Sequence, residues 1–169
     1  YTTLFRSPLL TEDGSLFLHV DWRTSAPVRL MLDRVMGRGH FVNDIIWSYQ
    51  SGGRSQNHFS RKHDTIYYYR KGNTGAFYPD AVGVRRGREP RNHLKRSQDE
   101  QGRVYFSIRI NGKEYRYYED DLIYPGDVWT DIPVLQQKDP ERTGYDTQKP
   151  EALLSRILRA TTLPGDAVC

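Results

Sequence analysis

The chain predicts an α/β fold, and three observations carry that prediction. A strand-like run at residues 15–21 (SLFLHVD) is followed at once by a helical pattern from Ser25 to Gly37. Two β-rich runs, 43–49 (NDIIWSY) and 65–70 (TIYYYR), flank a polar loop. A second helical pattern, apolar at residues 153, 154, 157 and 158, stands near the C-terminus. Strands that alternate with helices argue for α/β rather than all-β.

Each element follows from its residues. Residues 9–14 (LLTEDG) predict a helix end closed by Gly14. In SLFLHVD both faces are apolar at the start, as in a buried parallel strand. His19 and Asp21 fall towards its carboxyl end, where open α/β sheets place their binding crevice. Ser25 and Pro27 open the next helix, with Val28, Met31, Leu32, Val35 and Met36 on one face and Gly37 at its close. The runs 43–49 and 65–70 read as a hairpin around the loop 50–64, whose charged side chains include Arg54, Arg61 and Lys62. His63 and Asp64 at the second strand's entry read first as a pair that fixes a turn.

From Lys71 the composition changes. Arg85, Arg86, Arg88, Arg91, Lys95 and Arg96 oppose Glu89 alone, and read either as a solvated loop or as phosphate contacts interleaved with stacking aromatics. Residues 104–110 and 114–118 flank Asn111-Gly112, the strongest short hairpin signal. Residues 72–138 therefore read as an insertion with its own small sheet. In the C-terminal pattern, Thr147 is the candidate N-cap and Pro150 suits the first turn, with Ser155, Arg156 and Arg159 on the outer face. That helix start is either an ordinary cap or a place to hold an anion. Pro164 and Gly165 end it, and residues 166–169 (DAVC) read as a new strand.

Composition sets bounds. With 169 residues the chain makes one domain or a large piece of one. A net charge of +4 favours a polyanionic partner only modestly. One cysteine excludes an internal disulfide and a multi-cysteine zinc site, and fits a reducing cytoplasm. No apolar run is long enough to span a membrane, and the five histidines lack ligand spacing, so neither a membrane nor a metal is expected. There is no nucleophile elbow and no phosphate-binding G-x-x-x-x-G-K-(S/T) loop.

Residues 143–157, TGYDTQKPEALLSRI, preceded by DVWTDIP at 127–133, closely resemble the end of the target-recognition region and motif X of β-class site-specific DNA methyltransferases. GSLFLHVDWR, LMLDRVMGRGHFVNDIIW and RKHDTI match further blocks of that family in its order. The family has a proline where this chain has Asp146, which leaves TQKP intact. The resemblance implies part of a doubly wound, Rossmann-like S-adenosylmethionine-dependent methyltransferase sheet with an inserted β-rich recognition region. It divides the chain into residues 8–71 (catalytic-domain half), 72–138 (recognition region) and 139–169 (the motif X segment).

It also implies the activity: methyl transfer from S-adenosylmethionine to N6 of a flipped adenine in double-stranded DNA, in a restriction–modification setting. Thr147, Gln148, Lys149 and Pro150 would contact the methionine end of the cofactor. His19, Asp21 and Trp22 would border the target-base pocket. Trp129 would either join them or anchor the loop as a buried side chain. Arg54, Arg61 and Lys62, with the basic run, would contact phosphates. A restriction subunit is left open as a second partner.

The family's D-P-P-Y tetrapeptide and its glycine loop for the cofactor do not occur in these 169 residues. Residues 1–7 (YTTLFRS) resemble the in-frame translation of a short-read sequencing adapter and are set apart from the fold. The expectation is a fragment cut at both ends, inactive alone, with an exposed sheet edge. Cytosine-N4 transfer and a non-catalytic DNA-binding remnant are the alternatives.

Overall fold

The computed structural model describes residues 10–50, 53–87 and 94–169. Residues 1–7, Leu9, Arg88 and Arg91 lie outside the described residues. The chain divides into two compact units, one made of Tyr1–Tyr78 with Gly126–Cys169, the other of Pro79–Pro125. The second is narrower than the insertion expected at 72–138.

The first unit is built on a four-stranded sheet. Strands β1 (Ser15–Val20), β2 (Phe41–Ser48) and β3 (His63–Arg70) are joined by the short β9 (Val128–Trp129), in the order β1-β3-β2-β9. The hairpin of β2 and β3 forms as its residues predict. SLFLHVD differs from expectation. Its partner is the antiparallel β3, and only Val20 is fully buried. Among the described residues β1 is therefore an edge strand rather than an interior parallel one. It does run parallel to β2, because both lie antiparallel to β3 between them.

Helices cover both faces. α1 (Ser25–Leu32) packs Leu32, Val28 and Met31 against Val20, Tyr67 and Tyr69 on one side. α3 (Glu151–Thr161) packs Leu153 and Ile157 against Ile45, Trp47, Ile66, Tyr68 and Trp129 on the other. A strand sandwiched in this way must be apolar on both faces. In β3 the residues Thr65 to Tyr69 are all buried. Three consecutive buried tyrosines need three hydroxyl partners, since an unpaired buried hydroxyl is costly. Tyr67 donates to the Ser25 carbonyl at 2.9 Å and Tyr69 to Asp33 Oδ1 at 2.7 Å. The Tyr68 oxygen accepts from Arg70 Nε at 2.8 Å.

The first helix ends in a widened turn. After α1 comes one π-helical stretch, Asp33–Gly37, then a 3-10 turn, Arg38–His40. Gly37 has φ of 91°, which only glycine adopts without strain, so it does close the element. Residues 10–14 form a turn, and the helix that Gly14 was expected to close would lie before residue 10, outside the described residues. The Gly14 N–H meets the Thr11 carbonyl, and Lys71 stitches the segment down through the Leu10 carbonyl and Glu12. A Cβ on Gly72 would sit 2.3 Å from the Glu12 carbonyl oxygen, so this close approach requires glycine.

The second unit holds α2 (Pro79–Val82), the pair β4 (Val84–Arg85) and β8 (Leu122–Ile123), and a three-stranded sheet of β5 (Lys95–Gln98), β6 (Val104–Ile110) and β7 (Lys113–Tyr118). Ile110 pairs with Lys113 across a two-residue turn, with φ of 51° at Asn111 and 79° at Gly112. Positive φ at both positions is the turn that matches strand twist. Lys95 and Arg96, for which a solvated loop was one of two readings, are paired in β5. The sheet's buried side chains are Tyr105, Phe106 and Ser107.

α3 departs from its sequence pattern in three ways. It begins at Glu151 with Pro150 as cap residue, so Thr147 is not its N-cap. Leu153 and Ala160 are buried while Leu154 and Leu158 are 51% and 36% exposed. The inward stripe is 153, 156, 157 and 160, because spacings of three and four, not one, share a helical face. Residues 166–169, expected as a strand, form none.

Candidate functional site

The carboxyl ends of the parallel strands β1 and β2 lie on one edge of the sheet, and chemistry-bearing side chains collect there. In the register of β1 on β3, His19 lies opposite Ile66, so Asp64 is its diagonal neighbour on the same face. His19 Nε2 and Asp64 Oδ2 are 3.0 Å apart. Tyr49, just past the end of β2, donates its hydroxyl to Asp64 Oδ1 at 3.2 Å. Asp64 therefore joins side chains from three neighbouring strands. The expected local pairing of His63 with Asp64 is corrected: Asp64 reaches the histidine 45 residues earlier in the chain.

The electrostatics of this cluster keep it uncharged at histidine and phenol. His19 is held below its ordinary pKa, first by burial and then by the nearby Lys149 charge, against the pull of Asp64. Burial, with Asp64 adding to it, pushes Tyr49 up to about 12. A neutral imidazole keeps one nitrogen as acceptor, the form suited to holding a polar ligand edge or accepting a proton.

Asp21 and Trp22 sit at the same end of β1. The Asp21 carboxylate accepts from the Arg23 N–H at 2.9 Å, Arg23 Nε at 2.8 Å and Thr24 Oγ1 at 3.2 Å. These bonds to Arg23 lower its pKa and tie Asp21 to the entry of α1. Trp22 is half exposed, with the Arg61 guanidinium 3.9 Å above its ring. That stack brings the loop between β2 and β3 over the end of β1.

Trp129 ends β9 in register with Trp47, near the same end of β2, but its side chain is turned into the core. It is 7% exposed, packs in the core against Leu153, and donates its Nε1–H to the Gly126 carbonyl at 2.8 Å. This is the buried anchor of the two roles open to it. Arg156 lies over its ring at 5.0 Å and bonds Asp131 Oδ1 at 2.9 Å through Nη1. DVWTDIP and the C-terminal helix are thus riveted together. Arg156 had been expected on the outer face. An arginine three residues after a buried leucine was the available signal for its inward position.

The TQKP segment is shaped by Glu141, a residue that sequence reasoning missed. Glu141 Oε1 accepts the Glu151 N–H at 2.6 Å, so a carboxylate already occupies part of the α3 start. Gln148 folds the loop inward: its Nε2 donates to the Glu141 carbonyl and its Oε1 accepts from the Thr143 N–H, both at 2.8 Å. Thr147 is exposed, Lys149 half-buried and Pro150 buried. Lys149 Nζ reaches the Thr147 carbonyl at 3.0 Å, and its charge acts on His19. The segment expected at the cofactor and the histidine expected at the target base are therefore electrostatic neighbours.

The basic side chains fall into two groups. Arg54, Arg61 and Lys62 belong to the loop at the sheet edge, where Lys62 Nζ meets the Gly53 carbonyl at 3.4 Å. Arg85, Arg86, Lys95 and Arg96 belong to the second unit. Arg86 lies over Tyr117 at 5.1 Å with its Nε buried and without a hydrogen bond. Arg96 pairs with Glu119 at 3.3 Å, which offsets part of the positive charge. Among the described residues no group of three or more His, Cys, Asp or Glu could hold a metal ion. Among the described residues no helix is long and apolar enough to cross a membrane.

Comparison with known proteins assigns a lineage to this geometry. A family model described as DNA methylase, of the N6/N4 type, matches residues 5–169. The Type II methyltransferase M.EcaI of Enterobacter cloacae is 25% identical, over 95% of this chain and 46% of its own length. The DNA adenine methyltransferase YhdJ of Escherichia coli K12 is 30% identical, over 73% of this chain and 38% of its own. The Type II methyltransferase M.BglII of Bacillus subtilis is 30% identical, over 75% and 31%. The chain spans less than half the length of these curated relatives.

Proposed function

This chain belongs to the DNA methylase family, and from that premise we propose that it forms the target-side part of an S-adenosylmethionine-dependent enzyme that methylates N6 of adenine in duplex DNA. The observation that carries the reading is the His19–Asp64–Tyr49 cluster at the carboxyl ends of β1 and β2, on whose histidine the charge of Lys149, from TQKP, acts. A doubly wound methyltransferase sheet places its ligands at that edge. The name of one relative, an adenine methyltransferase, supports the acceptor.

The residues present fit the donor. The Lys149 ammonium and the exposed Thr147 hydroxyl suit the carboxylate of a methionine moiety, beside a helix start that favours negative charge. Gln148 shapes this wall through its bonds to residues 141 and 143, rather than by reaching outward. S-adenosylmethionine, when bound, supplies an electrophilic methyl group on its sulfonium. His19 and Tyr49, steadied by Asp64, line the side on which a flipped base enters, and Trp22 offers it an exposed ring. Arg54, Arg61 and Lys62 meet phosphates at the same edge. Residues 79–125 act as the recognition element, with Arg85, Arg86, Lys95 and Arg96 towards DNA. The protein works in the cytoplasm, and a restriction endonuclease is its natural companion.

The test is direct. The full-length protein carrying this sequence is incubated with unmethylated DNA and S-adenosylmethionine labelled in the methyl group, and the nucleosides are then separated. Label in N6-methyladenine is expected and should fall steeply in the Lys149→Ala variant. Label in N4-methylcytosine would transfer the assignment to the other branch of the family. DNA binding without any label would favour a non-catalytic module.

A further inference from the structure

Phe59 is the most exposed large apolar side chain among the described residues, at 99%. It sits in the loop between β2 and β3, at the edge that carries His19, Tyr49 and Trp22. A phenyl ring left in water gains nothing from this fold, yet the loop that carries it is held by its own bonds. The Ser55 N–H donates to Ser60 Oγ at 3.2 Å, and Ser55 Oγ meets His58 Nδ1 at 2.9 Å. Lys62 Nζ closes the base on the Gly53 carbonyl, and Arg61 ties the loop to Trp22. The ring is thus held outward on a closed loop.

The flanks identify the surface it meets. Arg54, Arg61 and Lys62 flank it along the same loop, and residues 53–62 contain no acidic side chain. An apolar tip inside a cationic rim suits a stack of bases between two lines of phosphates. We propose that Phe59 is a wedge that enters the DNA duplex beside the target and stacks in the space a flipped base vacates. The proposal rests on the reading of this chain as a DNA methyltransferase, and adds a residue that opens the duplex. Ring insertion lowers the cost of extrusion because the neighbouring bases keep a stacking partner.

Fluorescence anisotropy with the full-length protein carrying this sequence tests it, using a short duplex and the same duplex lacking one base. The wild type should prefer the abasic duplex about tenfold, since that gap accepts a ring without unstacking. Phe59→Ala should erase the preference, a loss of about 1.4 kcal/mol, and Phe59→Trp should keep it. At 99% exposure neither change threatens the core. Arg54→Ala should weaken both duplexes alike. Equal affinities of Phe59→Ala and wild type on both duplexes would overturn the wedge while leaving DNA binding intact. Self-association in sedimentation that Phe59→Ala abolishes, with DNA affinity unchanged, would also overturn it by making the ring a protein contact. Failure of the wild type to bind either duplex would defeat the underlying reading, and the wedge with it.

Discussion

The two sheets of this protein are both rich in tyrosine, and they use it in opposite ways. In β3 the rings of Tyr67, Tyr68 and Tyr69 are interior, covered by α1 on one face and α3 on the other, and each hydroxyl has a partner. In the sheet of β5, β6 and β7 Tyr105 is buried, but Tyr115, Tyr117 and Tyr118 lie nearer water, and cations stand over the rings. Arg103 stands 4.1 Å over Tyr118, Arg116 4.7 Å over Tyr105, and Lys113 5.3 Å over Tyr115. The same residue type is a scaffold where two helical layers exclude water, and a surface where none does. Rigidity suits the first sheet, whose edge must hold His19, Tyr49 and Asp64 within hydrogen-bond distance. On the proposed reading, the second is the sheet that meets DNA.

Three experiments press on this contrast, and the largest effect concerns packing. Ile66→Ala empties a site 1% exposed between the helices and should cost about 2–5 kcal/mol of unfolding free energy. Ile110→Ala, at 49% exposure in the small sheet, should stay within about 0.5 kcal/mol. Denaturant unfolding followed by circular dichroism compares the two. Similar losses would mean that the small sheet is covered in solution and would break the distinction.

A smaller difference is expected for hydroxyl groups. Tyr69→Phe deletes the donor to Asp33 and should destabilise by about 1 kcal/mol. Tyr115→Phe, at 40% exposure, should change stability by less than about 0.5 kcal/mol. Burial also pushes the Tyr69 phenol well above its ordinary range. Spectroscopic titration should therefore find Tyr69 ionising well above the ordinary phenol range.

The smallest effect is electrostatic and sharpens the site. The His19 ring should titrate below 6.5, its ordinary value, in nuclear magnetic resonance spectra. Lys149→Gln should raise that midpoint, and Asp64→Asn should lower it further. The sign for stability follows from the same shift. Below 6.5 the unfolded chain binds a proton that native His19 resists, so stability falls as pH drops from 6.5 towards the native midpoint. A midpoint above 6.5 would mean that Asp64 outweighs burial.

Much of this was legible in the sequence, for reasons that differ by element. The hairpin at Asn111-Gly112 was readable because its turn is set by two residues that tolerate positive φ. The hairpin of β2 and β3 was readable from runs of β-branched and aromatic side chains. The helix after β1 was readable from its apolar period, although its widened end at Asp33–Gly37 was not. The edge position of β1 escaped, since apolar residues on both faces report only that both are covered. The inward turn of α3 escaped too: Leu153 and Leu154 are equally apolar, and packing chose between them. Of the side chains expected at a target-base pocket, His19, Asp21 and Trp22 gather at one end of the sheet, while Trp129, in register with Trp47, is buried.

What the sequence determined by itself is local: the backbone preferences of a few neighbouring residues, the period of each element, and the family through its ordered motifs. What only the tertiary structure decided is partnership across distance. Asp64 finds His19 because β1 sets its register on β3, Glu141 reaches the start of α3 ten residues on, and Asp131 meets Arg156. A carboxylate carries no mark of its partner. It is assigned one only when strand pairing and helix packing bring a donor within about 3 Å and exclude the water that would otherwise compete.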